Sequence, residues 1–247
     1  MTTGTRHGFR LLLLWLWAAA AIAADAPQRP PQRQPNPALA PITDVAGLPR
    51  ILLIGDSISI GYTLATRTLL SSKANVHRIP TNGGPTTRGL EQLDAWLGDT
   101  KWDVIHFNWG LHDLKHVDPQ GGLTDVANGP VQVPINAYQK NLEILTRRLR
   151  ETDAELIWCS TTPIPQGAKG RIPGDEVRYN AVALEVMQQA GIAVNDLYAF
   201  ALPQMAEIGK PADVHYTQAG SCVLATKVAE SLNTALKNRR PSSADRR

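Results

Sequence analysis

Four short segments of the chain hold residues able to act on a chemical bond: 55–59, 81–87, 108–113 and 211–217. A serine hydroxyl becomes a nucleophile when a histidine takes its proton, and the two need only meet in space. Ser57 follows the apolar run Ile51-Leu52-Leu53-Ile54, with Gly55 and Asp56 between. That order predicts a tight turn from a buried strand into a helix, with the hydroxyl and N–H exposed near the positive end of the helix dipole. The same residues suit plain helix capping by Asp56 or Ser57, and the Gly-x-Ser-x-Gly elbow is absent. His215 lies in Pro211-Ala212-Asp213-Val214-His215-Tyr216-Thr217, ahead of the last helical stretch. It reads as a general base with Asp213 beside it, or as a surface turn with Thr217 as helix cap.

The other two segments offer hydrogen-bond donors. Gly83 and Gly84 let the backbone approach a ligand and turn an N–H toward it, although a plain turn needs them equally. Asn108-Trp109-Gly110-Leu111-His112-Asp113 puts polar side chains just past a buried strand, where a developing anion can be held. His112 and His116 stand four apart with an acid between them, the spacing of a zinc-protease helix. With no helical run around them and no clear third ligand, no metal is expected. His106 lies inside the strand and reads as structural.

One rhythm of elements must position these segments. Apolar runs at 50–54, 76–79, 103–108, 155–159 and 192–194 read as short buried strands. Helical stretches follow, from the first strand to about residue 71, then at 87–97, 135–150, 175–190 and 217–236. Tyr138, Leu142, Leu145 and Leu149 fall on one face of the third. Five alternations predict an α/β domain with a parallel sheet covered on both faces. Ligands of such sheets bind at the carboxyl ends of the strands. A Ser after the first strand and a His before the last helix can meet there.

Together these segments resemble the GDSL-type, or SGNH, hydrolase family over about residues 50–236. Gly55-Asp56-Ser57-Ile58 matches the nucleophile block, with Ile where Leu is most familiar. Gly83 or Gly84 falls in the Gly block, Asp213-Val214-His215 in the His block, and Thr161-Thr162-Pro163 lies between. The resemblance implies a single-domain, three-layer α/β/α fold on a flavodoxin-like, five-stranded parallel sheet. It implies Ser57 as the acylated nucleophile and His215 as the general base. The oxyanion would be held by the N–H of Ser57, the N–H of Gly83 or Gly84, and a side chain. Two positions depart from the pattern. His112 stands where the family has Asn; a neutral imidazole can donate one N–H, and Asn108 is a rival donor. Three residues before the His the family has Asp, whereas this chain has Ala212 and carries Asp213 two before. Asp56 and Asp113 read as loop ties.

The expected activity is hydrolysis of carboxylic esters, of short acyl chains or acetylated glycans, without a cofactor. The competing class is a non-catalytic carbohydrate- or envelope-binding domain on the same fold. Composition bounds the rest. With 247 residues, six Trp and 43% hydrophobic residues, the chain can bury a core and is not wholly disordered. Arg6, His7 and Arg10 precede the apolar run from Leu11, and Ala21-Ile22-Ala23 is a small-x-small cleavage site. Residues 1–23 therefore read as a signal peptide, too short in its apolar part to span a bilayer. Export to a periplasm or the outside follows, with no stable membrane insertion after cleavage. Residues 24–47, rich in Pro, Gln and Arg, read as an extended linker, 48–237 as the domain, and 238–247 as a basic disordered tail. Cleavage removes two of the 25 basic residues and none of the 22 acidic ones, so nothing points to nucleic acid. Export permits a Cys159–Cys222 bridge, while both lie in apolar runs where an unpaired buried thiol is common. The oligomeric state is not written in the sequence.

Overall fold

The computed structural model describes residues 1–2 and 35–238; the expected signal peptide, the start of the linker and the tail beyond Asn238 lie outside the described residues. Five strands make one parallel sheet: β1 (Arg50–Ile54), β2 (Asn75–Arg78), β3 (Val104–Phe107), β4 (Glu155–Cys159) and β5 (Ala193–Asn195). Their order is β2-β1-β3-β4-β5, the flavodoxin-like arrangement. Ile51 pairs with Val76 on one side and Val104 on the other. Among the described residues seven α-helices accompany the sheet: α1 (Ser57–Leu69), α2 (Thr86–Leu97), α3 (Ile135–Arg150), α4 (Asp175–Ala190), α5 (Leu197–Ala201), α6 (Met205–Ile208) and α7 (Gln218–Asn238).

The layers follow from handedness. The chain steps one way from β1 to β2 and the other way through β3, β4 and β5. Right-handed crossovers then put α1 on one face and α2, α3 and α4 on the other. α1 packs against α7, α2 against α3, and α3 against α4. With both faces covered, Ile51 through Ile54, Val104, Ile105 and Phe107 are buried without alternation. The direction reverses between β1 and β3, which opens a crevice at their carboxyl ends.

The sequence reading needs correction at three places. Residues 35–47 are packed onto the domain and are not part of an extended linker. Asn75 donates to the carbonyls of Val45 and Leu48 and accepts the Val45 N–H, and Arg67 donates to the carbonyls of Pro37 and Ala40. Asp44 pairs with Arg50 at 3.0 Å and His77 at 2.6 Å, and Ala38 is buried. These ties are polar, so no apolar period announced them. The short helices α5 and α6 were not foreseen, being too brief to show a helical period. Both cysteines are free; Cys159 is buried at the end of β4, but Cys222 is exposed on α7.

Candidate active site

Ser57 opens α1 directly past β1. Asp56 is the N-cap, but its Oδ1 accepts from the Ile58 N–H at 2.9 Å, one residue beyond the serine. The Ser57 N–H, at the first helical position, has no intrahelical acceptor. Capping and display of the serine are therefore compatible. The preceding turn is held from β2: Arg78 donates to the carbonyls of Gly55 (2.7 Å) and Asp56 (2.9 Å), and to those of Ile79 and Thr81. Burial lowers its pKa to about 10, with Tyr62 and Asp56 acting the other way. Sequence reasoning missed this residue. Its signal was a charged side chain closing a buried strand.

The segment before α7 returns to the same edge. His215 Nε2 lies 2.9 Å from Ser57 Oγ, and its Nδ1 lies 2.7 Å from Asp213 Oδ1. The same Oδ1 accepts the His215 backbone N–H at 3.1 Å. Asp213 thus reaches the ring from two residues away by an Asx-type turn. Ala212 just before it has φ +52°, a left-handed backbone rare for a residue with a Cβ. Burial opposes ionisation of Asp213, but hydrogen bonds from the His215 ring and backbone outweigh it and hold the carboxyl below its ordinary value. The side chains of His215 and Asp213 are 44% and 43% exposed, so the group is open to a ligand.

The expected oxyanion donors fare differently. Gly83 N–H donates to Gly55 O at 2.9 Å, where it locks the second loop to the serine turn. A Cβ on Gly83 would stand 2.9 Å from that oxygen, so the glycine is there for close approach. Gly83 is thus not a free donor. Gly84 N–H donates to Asn82 Oδ1 at 2.9 Å, a half-buried side chain in its own loop. Asn108 is also committed: its Nδ2 donates to Cys159 O at 2.7 Å and Thr161 Oγ1 at 3.3 Å, joining the ends of β3 and β4. Its donor group is turned to the fold. His112, half-buried, makes no hydrogen bond among the described residues. Burial lowers its pKa, with Asp56 opposing and Lys115, Arg171 and Arg88 reinforcing, so its ring is neutral near pH 7.

The remaining candidates are structural. Asp113 is buried; its Oδ1 accepts from Thr86 N–H at 2.8 Å and Thr86 Oγ1 at 2.5 Å, tying the start of α2 to the third loop. Asp113 Oδ2 has no partner among the described residues, and burial pushes the carboxyl up to about 7 despite those bonds. His116 bonds through Nδ1 to Gly129 O, and no cluster of three metal-ligating side chains exists among the described residues. His106 is buried in β3 against Asn195, its pKa lowered by burial to about 4. A cleft of about 590 Å³ beside β5 and α7 includes Asn195 in its lining but none of the candidate catalytic or oxyanion residues. Chemistry, not size, identifies the site.

No family model matches the chain, and no curated protein does. Solved structures do. A lipase/acylhydrolase from Enterococcus faecalis is 18% identical over 79% of this chain and 100% of its own, with TM-score 0.63. The acetylxylan esterase Axe2 from Geobacillus stearothermophilus is 16% identical over 74% of this chain and 94% of its own, with TM-score 0.61. The acetyl xylan esterase AlAXEase is 16% identical over 74% of this chain and 99% of its own, with TM-score 0.60. The chain has the fold of these proteins, the three-layer α/β/α arrangement expected from the sequence. At such identities the chemistry must be argued from its own residues.

Proposed function

We propose that the protein is an exported serine esterase that hydrolyses carboxylic esters through an acyl-enzyme. The observation that carries this reading is the continuous chain from Ser57 Oγ to His215 Nε2 and from His215 Nδ1 to Asp213. Ser57 Oγ attacks the ester carbonyl as its proton passes to His215 Nε2. Asp213 holds the Nδ1 proton and favours the imidazolium that forms. The tetrahedral oxyanion is met by Ser57 N–H, by Gly84 N–H once Asn82 gives way, and by the neutral His112 ring. Collapse expels the alcohol, which takes the proton back from His215. Water then repeats the sequence on the acyl-enzyme and releases the acid.

The two acetylxylan esterases among the structural neighbours support an acetyl group on a glycan as the substrate. The open, half-exposed triad suits an ester displayed on a large molecule. Export rests on residues 1–23. The test is release of p-nitrophenol from p-nitrophenyl acetate, with Ser57→Ala as control, followed by a panel of acetylated glycans. Turnover abolished in Ser57→Ala is expected. Equal turnover in the variant overturns the reading, and glycan binding without turnover gives the binding-domain alternative.

A further inference from the structure

Three cations, Arg171, Lys115 and Arg88, lie near His112, and none has a carboxylate hydrogen-bonded to it among the described residues. Arg171 lies in the loop between β4 and α4, which Glu176 pins by accepting the N–H groups of Ile164 and Gly174. Its Nε donates to Leu111 O at 3.1 Å and its Nη1 to Lys169 O, next to His112. Its Nη2 has no partner among the described residues. The His116 N–H donates to Gly170 O at 2.7 Å, so this loop runs alongside residues 111–116, which carry Lys115. Arg88, on the first turn of α2, lies against Gly84: its Cδ is 3.0 Å from where a Gly84 Cβ would be. Among the described residues, its side chain donates only to Asn82 O. None of the three forms an ion pair among the described residues, whereas Arg50, Arg148, Arg178 and Lys227 each pair with an Asp or Glu.

The nearby acids are held by other partners. Asp213 is engaged by His215, and Asp56 caps α1 and faces the buried Arg78. Lys115 feels Arg171: burial first, then this repulsion, lowers the Lys115 pKa. Burial also lowers the Arg171 pKa, with Asp56 and Asp213 acting the other way from a distance. Like charges held together beside a reactive centre, with one half-buried guanidinium keeping an unspent N–H edge, make a ready anion receptor. Resting on the esterase reading, we propose that Arg171, with Lys115 and Arg88, binds an anionic group of the ester substrate, so that the natural substrate is an acylated molecule bearing a carboxylate or similar anion. Binding that anion would orient the ester over Ser57 and raise its local concentration.

Three esters test this: 4-acetoxybenzoate, its neutral methyl ester, and mono-(4-methoxycarbonylphenyl) succinate, which keeps the neutral ester's leaving group and puts the carboxylate on the acyl side. The expected result is kcat/KM at least about tenfold higher for one anionic ester than for the neutral one, the gap shrinking with added salt. The arm that gains tells which side of the ester carries the anion. Arg171→Gln and Lys115→Gln should each narrow the anionic-to-neutral ratio, and Arg171→Lys should restore part of it. Hydrolysis of all three without preference, or a preference that survives both Gln variants, overturns the inference and leaves the esterase intact. Hydrolysis of none overturns the esterase reading and this inference with it.

Discussion

A single carboxylate oxygen of Asp213 accepts both the backbone N–H of His215, at 3.1 Å, and its ring Nδ1, at 2.7 Å. The double attachment lets an acid two residues before the histidine orient it, with the left-handed Ala212 turning the chain into place. Asp213→Asn should therefore disturb the tautomer of His215 more than the shape of the site. We expect kcat to fall by about a hundredfold or more with little change in KM, within the range that losing an orienting acid costs elsewhere. Steady-state kinetics near pH 7 decide it, and a near-normal kcat would leave a Ser–His dyad.

His112 is the side-chain oxyanion donor in the proposed mechanism, because Asn108 spends its amide on β4. His112→Ala should lose roughly 100- to 1000-fold in kcat, the effect of removing one such donor. His112→Asn should recover part of it. If His112→Ala keeps more than about a tenth of the wild-type rate while folding normally, the loss is below ~1.4 kcal/mol and backbone groups do the work.

Arg78 ties the serine turn to β2 and satisfies four carbonyls at once. Arg78→Ala takes a charged donor from the buried carbonyls of Gly55 and Asp56, which keep only the N–H groups of Gly83 and Ile60, and should lower stability by about 2 kcal/mol, along with kcat. Urea denaturation of the variant reports the first effect. Arg78→Lys, with a point charge in place of a planar fork, should regain part of the stability and little of the turnover.

Asp113 predicts a pH dependence. Its folded pKa, raised by burial to about 7, lies above the value near 4 of an exposed aspartate. Between those values the folded state holds more protons than the unfolded one, so this group's contribution to stability falls as pH rises from about 4 to about 7. Asp113→Asn removes the ionisation. The variant should gain stability relative to wild type across that window and no further above it, read by denaturant unfolding at pH 5, 6, 7 and 8.

The strand ends were legible because buried parallel strands read as unbroken apolar runs. Those runs put Ser57 and His215 at one edge, and the structure brings their side chains to 2.9 Å. What sequence did not reveal was how donors are spent. Asn108 and Gly83 have the right chemistry and position, but their partners Cys159 and Gly55 lie on neighbouring elements that only folding brings near. The clamp on residues 35–47 was hidden for the same reason, since Asn75 and Arg67 act from distant positions through polar bonds. The reach of Asp213 depended on the backbone of Ala212, a residue whose type gives no hint of a left-handed turn.

The claim that Ser57 is acylated is tested most directly by mass spectrometry of the protein quenched in acid during turnover of p-nitrophenyl acetate. One added acetyl group is expected, mapped to the peptide containing Ser57, absent from Ser57→Ala and accumulating no faster than p-nitrophenol is released. Turnover by the wild type with the acetyl group on another residue, or with equal labelling of Ser57→Ala, would contradict it.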